Sequence, residues 1–411
     1  MKASRRNFLV GAALGAGAAA LRPMVATAQE VDGKVIPGFD QTKTDVNKGS
    51  VWTPVSDRKI KVGLVGYGVC LFGAGFGFQD HPNVEVVAVS DLNPDRCAAF
   101  AKHVKCEKTY ESLEKMIEDD SIEAIFVATD APSHARQCIE AMKRGKHVAC
   151  AVPAVFGEAG LEEADELLET VKKTGRTYML FETSAYHDAV YAAREVYKAG
   201  GFGKMIYTEG EYFHYSPKAY DSYKGWRVGL PPQWYPTHSN AYYINVTGGS
   251  FTEVSCMGHM GDFPHNQPGG NPYGNPFSSE IALFRTSEGG LARMAVCWDT
   301  YMLGEETGRN TGSKGTSWRP NPRTGVPFQS GLADVQELLK TLNLKKPAIP
   351  IAAGGHGGSH GYLTNEFIEA ILQNRKPLVD VVSALNLTVS GIIAHRSALK
   401  DGETMKIPQY A

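Results

Sequence analysis

KIKVGLVGYGVCLFGAGFGFQDHPNVEVVAVSD, residues 59–91, reads as a strand, a glycine-rich turn, a helix, a second strand and an acidic residue at that strand's end. The apolar run Ile60 to Val65 is the first strand. Gly66 and Gly68 allow a tight turn and let the backbone approach a pyrophosphate, whose charge the N–H groups of a following helix favour. Asp91 is placed to accept hydrogen bonds from a ribose diol, and its carboxylate repels a 2′-phosphate, so the expected cofactor is NAD rather than NADP. The third glycine of G-x-G-x-x-G is missing: Leu71 stands there, and the next glycine is Gly73. Three glycines alone say little, but the preceding strand and Asp91 at the right distance supply the context that the pattern needs. An ordinary strand–helix–strand unit without a nucleotide is the plain alternative.

The alternation continues beyond Asp91. Helices are expected over Asn93 to Val104, Ser112 to Asp119 and Ala135 to Arg144, with buried strands at Ala124 to Ala128 and His147 to Ala151. Leu161 to Thr174 reads as a helix, Thr177 to Phe181 as a strand and Ala185 to Lys198 as a further helix. Strands and helices in this order imply a parallel sheet. Its strand ends should converge on the cofactor, which makes Gly66, Gly68, Cys70, Leu71, Asp91, Thr129, His134, Val152 and Pro153 the candidate cofactor contacts.

With 411 residues, the chain has room for two domains. Its 43% hydrophobic and 21% charged residues are globular values. A net charge of −2 offers no electrostatic attraction for nucleic acid or an anionic membrane, so a small molecule is the expected partner. Seven cysteines without a C-x-x-C pair speak against a disulfide framework or a zinc knuckle.

Residues 1–28 resemble a twin-arginine signal peptide. Ser4-Arg5-Arg6-Asn7-Phe8-Leu9 precedes a mildly apolar run to Leu21, and Ala26-Thr27-Ala28 offers a small-residue cleavage site. The run is too short and glycine-rich for stable membrane insertion. The resemblance implies export, to a periplasm or its equivalent, of a protein that has already folded around its cofactor. Residues 29–57 are polar and aperiodic, a linker or arm.

The motifs GLVGYG, VSD, VATDAPSHA and GKHVACAVP, in this order and spacing, resemble the Gfo/Idh/MocA oxidoreductase family. The resemblance implies a Rossmann-like NAD-binding domain over 58–182. It further implies a second α/β domain over 183–411, whose large, mainly antiparallel open sheet carries a sugar site and supports homo-oligomerisation. In the family the strand after G-K-H-V commonly ends in Glu-Lys-Pro, and its lysine takes part in proton transfer. Here Ala151-Val152-Pro153 stand there. Valine packs beside a nicotinamide but cannot move a proton.

In the second domain, strands are expected at Met205 to Phe213, Phe251 to Met257, Glu280 to Arg285 and Leu291 to Trp298. The segment 224–246, KGWRVGLPPQWYPTHSNAYYINV, is too irregular for core strand until Ala241 and concentrates aromatic and polar groups suited to a sugar. Trp226, Arg227 and Trp234 are therefore candidate substrate contacts. Tyr235-Pro236-Thr237-His238 resembles the active-site segment of glycoside hydrolase family 109, which oxidises a sugar transiently on bound NAD, eliminates, hydrates and returns the hydride. That resemblance implies proton-handling roles for Tyr235 and His238. Histidine also suits the base that hydride removal from an alcohol requires. Tyr186 and His187, after a strand at the cofactor edge, are further candidates.

Residues 302–329 read as a flexible loop. Gly354-Gly355-His356-Gly357-Gly358-Ser359-His360-Gly361 places two histidines four apart, but its glycine content argues against the helix that metal ligation at that spacing needs. His360 is instead expected to face the substrate domain, at the mouth of a helix over Tyr362 to Asn374, and a last helix runs over Val382 to Lys400. Three functions follow: an exported NAD-dependent sugar oxidoreductase with an internally recycled cofactor, an NAD-dependent glycosidase, or a non-catalytic sugar-binding protein.

Overall fold

The computed structural model describes residues 30–31, 34–35, 51–219, 221–267, 269–301, 304–318 and 327–411. The signal-peptide segment 1–28, most of the 29–57 arm, and residues 302–303 and 319–326 of the expected loop lie outside the described residues. No described helix is long and apolar enough to cross a membrane.

Six parallel strands form the first sheet: β1 (Ile60–Val65), β2 (Val84–Ser90), β3 (Thr109–Tyr110), β4 (Ala124–Val127), β5 (His147–Cys150) and β6 (Tyr178–Leu180). Their order is 3-2-1-4-5-6, with the reversal between β1 and β4 that opens a crevice at the strand ends. Both faces are covered, so the consecutive residues Val62, Gly63, Leu64 and Val65 of β1 are all buried. The helices flanking this sheet fall within a residue or two of expectation, except the short one after β3. That one is a single turn, Leu113–Met116, capped by Ser112. Asn93 likewise caps Pro94–Val104 by accepting from the Arg96 N–H.

The turn after β1 differs from the expected form. The helix that follows is one turn only, Phe72–Gly75, and Gly77 at φ 76° ends it. The sequence there is too rich in glycine to extend a helix. Leu71 takes the left-handed conformation at φ 51°, and Gly73 takes over the close packing of the missing glycine. A Cβ on Gly73 would lie 2.4 Å from the Gly66 carbonyl oxygen and 2.4 Å from the Phe100 ring. Gly73→Ala should therefore destabilise the protein by about 1–3 kcal/mol, read as a lowered melting temperature.

The second sheet is mixed. It contains β7 (Met205–His214), β8 (Phe251–Met260), β9 (Phe277–Thr286), β10 (Leu291–Cys297), β11 (Gly304–Gly312), β12 (Thr316–Ser317), β13 (Phe328–Gln329) and β14 (Met405–Lys406). The order is 13-12-11-7-10-9-8-14, antiparallel except for β7 with β10. β11 to β13 occupy most of the described part of the stretch expected to be a flexible loop. Their glycines made that stretch look unstructured.

Those glycines have a packing reason. Gly308 on β11 pairs directly with Gly210 on β7. A Cβ on Gly210 would meet the Ser239 carbonyl at 2.0 Å, and one on Gly308 would meet the Tyr242 ring at 2.3 Å. The bare backbone makes a furrow in which the helix Thr237–Thr247 lies. All eleven residues of that helix are buried, so it has no polar stripe, and its tyrosines, isoleucine and valine read as the strand expected from Ala241. The helix carries His238 at its first turn, against β7 and β11.

Two further differences position the site. The helix expected from Ala185 is split into a 3-10 turn, Thr183–Tyr186, and a helix, Asp188–Lys198, because Glu182 accepts from the Ser184 N–H and His187 is extended. The helix His360–Leu372 packs on the first domain: Thr364 Oγ1 donates to the Phe76 carbonyl at 2.8 Å, and His81 pairs with Asn365 at 3.2 Å. The last helix, Val381–Ala398, then returns beneath the second sheet. The helix Ala333–Thr341 was not expected from the sequence.

Candidate active site

Two cavities meet at the ends of the first sheet. The larger, about 630 Å³, runs past Gly66, Gly68, Asp91, Thr129, His134 and Val152, with Tyr223, Lys224 and Trp226 on the opposite wall. The smaller, about 220 Å³, lies between the domains, with Thr183, Tyr212, Tyr235, His238, Trp298 and His356 in its wall. Cys70, Ala151, Val152, Arg227 and Tyr235 line both.

The larger cavity suits a dinucleotide. A Cβ on Gly68 would meet nothing within 4 Å, which leaves room for a ligand against the turn. The Asp91 carboxylate is fixed at both oxygens, accepting from the Tyr67 N–H at 2.7 Å and the Asn93 N–H at 2.8 Å. Asp91→Ala should weaken NAD binding about tenfold or more, the loss of charge-assisted hydrogen bonds, measured by titrating NAD into cofactor-stripped protein. Leu71 and Thr129 also line this cavity, and Thr129 Oγ1 donates to Gln137 at 2.5 Å. His134 Nδ1 faces the Pro153 carbonyl at 2.8 Å and Nε2 the Thr129 carbonyl at 3.3 Å. Two carbonyl acceptors suit an imidazolium. Burial opposes the charge, but the neighbouring Cys150 sulfur and the two carbonyls push His134 up to about 9. Pro153 lines neither cavity and acts here as an anchor for His134.

The smaller cavity is organised by His238 and Glu182. His238 Nδ1 sits 2.8 Å from Glu182 Oε1, and Glu182, wholly buried at the end of β6, also accepts from the Ser184 N–H at 2.9 Å. Glu306 approaches the same imidazole nitrogen at 3.8 Å and accepts from Ser184 Oγ at 2.8 Å. Burial disfavours both charges, yet the Glu182 and Glu306 carboxylates push His238 up to about 9, and His238 in turn holds Glu182 below the usual carboxylate range. With Nδ1 so held, Nε2 is the nitrogen available to a ligand.

Aromatic rings shape the rest of the wall. The Tyr212 ring lies 4.6 Å and the Tyr235 ring 5.6 Å from the His238 ring. The Arg227 guanidinium stacks over Trp226 at 4.1 Å and reaches the Tyr235 ring at 5.7 Å. Burial raises the Tyr235 phenol above its ordinary value, which keeps it a proton donor at neutral pH.

His238, Tyr235, Arg227, Val152 and Cys70 thus converge, while four other candidates stand elsewhere. Tyr186 is buried against Tyr362, ring centroids 5.4 Å apart, and lines neither cavity. His187 stands behind the site, 3.5 Å from Glu306. Trp234 packs among Phe156, Tyr273 and His395, away from both cavities. His360 also lies behind the wall, and His356 takes the position at the cavity. Trp226 borders the larger cavity rather than the smaller. The functional groups the sequence reading missed are Glu182, Tyr212, Glu306 and His356. Glu182 had a signal, an acidic residue directly after a sheet strand. Among the described residues, no group of three or more His, Cys, Asp or Glu is placed to hold a metal ion.

Residues 60–182 match the profile of the Gfo/Idh/MocA family, described as an oxidoreductase family with an NAD-binding Rossmann fold. The chain is similar to glycosyl hydrolase family 109 protein 1 of Bacteroides fragilis, 32% identical over 164 residues, 38% of this chain and 35% of that protein. The match therefore spans about a third of that relative. Similarity to a glycosyl hydrolase family 109 protein of Stenotrophomonas maltophilia is longer and weaker, 23% identical over 86% of this chain and 89% of that one. Among solved structures, levoglucosan dehydrogenase in complex with NADH and levoglucosan superposes with a TM-score of 0.66 at 18% identity, covering 86% of this chain and 100% of that one. The WlbA dehydrogenase of Bordetella pertussis, in complex with NADH and UDP-GlcNAcA, gives a TM-score of 0.65 at 18% identity over 87% and 100% of the two chains. These two likenesses establish the shared fold.

Proposed function

We infer the function from one premise: the domain over residues 60–182 belongs to the oxidoreductase family with an NAD-binding Rossmann fold. The protein is an NAD-dependent oxidoreductase that acts on a sugar or sugar derivative. The observation that carries this reading is the junction of the two cavities, where Val152 and Tyr235 line both and His238 stands in the wall of the smaller one. Gly66, Gly68, Asp91 and Thr129 would hold NAD, which supplies the hydride acceptor when bound.

His238 supplies the proton chemistry that the absent lysine cannot. Hydride removal from a secondary alcohol requires the hydroxyl proton to leave, and His238 Nε2, backed by Glu182, is the group positioned to take it. At neutral pH the pair stores a proton as imidazolium and carboxylate. The imidazole takes the alcohol proton only after the imidazolium has released its own proton to solvent, so oxidation should speed up as pH rises toward about 9. Arg227 and the rings of Tyr212 and Tyr235 orient the sugar, and the apolar Val152 and Trp298 keep water from the reacting carbon.

The similarity to family 109 proteins along most of the chain, with Tyr235 and His238 in one wall, favours a second reading. In it the same site cleaves a glycoside with no net redox change. The reading also includes export through the twin-arginine route with NAD retained and recycled. A homo-oligomer would form through the outer face of the second sheet, where Ile206, Met257, Ile281 and Leu283 are exposed.

The deciding experiment denatures the purified protein, identifies any released dinucleotide, and then offers the native protein a panel of sugars and glycosides. About one NAD or NADH per chain with keto-sugar formation supports the oxidoreductase, and release of reducing sugar without added acceptor supports the glycosidase. A protein that neither carries nor binds NAD would sink both and leave a binding protein.

A further inference from the structure

The glycine-rich run 354–361 builds a pair of hydrogen-bonded histidines, of which His356 lines the smaller cavity and His360 stands behind it. His356 Nδ1 lies 2.8 Å from His360 Nε2, and His360 Nδ1 lies 2.8 Å from the Gly75 carbonyl oxygen. The His360 ring is stacked on Phe76, centroids 4.1 Å apart, and the His356 ring meets Phe72 edge-on at 5.4 Å. The glycines are what permit this. A Cβ on Gly355 would come within 2.9 Å of the His360 ring and one on Gly354 within 3.0 Å of its Cβ. His356 itself is held at φ 47°, a left-handed conformation that a non-glycine residue rarely adopts.

The chain of hydrogen bonds has a direction. A backbone carbonyl only accepts, so His360 Nδ1 carries the hydrogen. In a neutral His360 the other nitrogen, Nε2, is then an acceptor, and His356 Nδ1 must donate to it. In a neutral His356 this leaves Nε2, at the far side of the ring, as a bare lone pair. Burial favours neutrality at both: it lowers His360, and it lowers His356 to about 4, helped by the nearby His238 imidazolium. His238, held by Glu182, has the opposite character.

We propose that His356 presents a fixed hydrogen-bond acceptor, its Nε2 lone pair, to a hydroxyl of the sugar in the smaller cavity, and that His360 is the positioning residue that sets this polarity from the Gly75 carbonyl. The proposal rests on the sugar-site reading for its ligand, but the tautomer it requires does not depend on that reading. The ligand class is a polyol whose hydroxyl beside the reacting carbon donates to His356. A sugar lacking that hydroxyl leaves the site one unmet acceptor.

The test is long-range proton–nitrogen NMR of the full protein labelled at histidine nitrogens, with signals assigned by single substitutions. At neutral pH both His356 and His360 should show the Nδ1–H tautomer, the minor form for histidine in water. His360→Phe, which retains the stack on Phe76, should abolish that tautomer at His356. His360→Gln, which can both donate and accept, should restore it. For the sugar found active by the panel above, His360→Phe should raise KM about tenfold with little change in kcat, the mark of lost ground-state binding. An Nε2–H or doubly protonated His356 in the wild type, or an unchanged His356 tautomer in His360→Phe, would overturn the proposal whether or not a sugar is turned over.

Discussion

Replacing His238 with asparagine is expected to slow sugar oxidation by about 10²- to 10⁴-fold, the range for removing a positioned general base, while NAD per chain stays at the wild-type level. Asparagine is chosen over alanine for a physical reason. Its side-chain amide can place an N–H where Nδ1 stands and keep Glu182 partnered, so the variant lacks only Nε2. Alanine would strand a buried carboxylate and cost about 3–5 kcal/mol, confounding chemistry with folding. The cofactor should be unaffected because His238 lines the smaller cavity alone. Retained dinucleotide and the rate of nicotinamide reduction by the active sugar are the two readouts. A His238→Asn protein that reduces its nicotinamide at the wild-type rate would move the base elsewhere, with Tyr235 the next group on the wall.

Much of this site was legible because local signals sufficed for half of it. Gly66, Asp91 and the apolar runs of β1, β4 and β5 announce a parallel sheet with a crevice, since strands buried on both faces and the residues at their ends are all set by nearby sequence. Tyr235 and His238 stood out by their aromatic and proline-rich surroundings. The other half depends on tertiary contacts. Glu306 reaches His238 only because β11 pairs with β7, which sets Glu306 opposite Tyr212. Nothing within residues 302–329 marks that strand, since Gly308 answers to Tyr242, on a helix more than sixty residues earlier. That helix, Thr237–Thr247, hid for the converse reason. A helix buried on every side loses the polar–apolar period by which helices are recognised. Tyr186 and His187 failed as a pair because a helix was expected to begin three residues too early; the 3-10 turn Thr183–Tyr186 places Tyr186 against Tyr362 instead.

Glu182→Gln should have the largest effect on stability, and the effect should depend on pH in a sense that the pair dictates. His238 is raised from 6.5 to about 9 in the folded protein. A raised imidazole contributes stability that is fully present below its unfolded pKa and is lost as pH rises through the folded value. Glu182 is lowered, so its own contribution is present above the unfolded carboxylate pKa and is lost as pH falls through the folded one. The pair is therefore most stabilising between about pH 4.5 and pH 6.5. A rise of that size corresponds to about 3 kcal/mol, available without a solvent discount because Glu182 is 0% and His238 4% exposed. The glutamine variant should be less stable than wild type by at most that amount near pH 6, since Glu306 also raises His238, and the gap should shrink as pH passes about 9, where the wild-type imidazole gives up its proton. Denaturation midpoints at three pH values across this range would show it. A gap of constant size would mean that Glu182 acts through packing or a neutral hydrogen bond rather than through the charge of His238. The same variant should lose the carboxylate that raises His238, so the oxidation rate, which needs the unprotonated imidazole, should titrate with a lower apparent pKa than the wild type. A base that keeps its pKa after losing its carboxylate would have to take it from Glu306, and Glu306→Gln in the Glu182→Gln background would then remove the remainder.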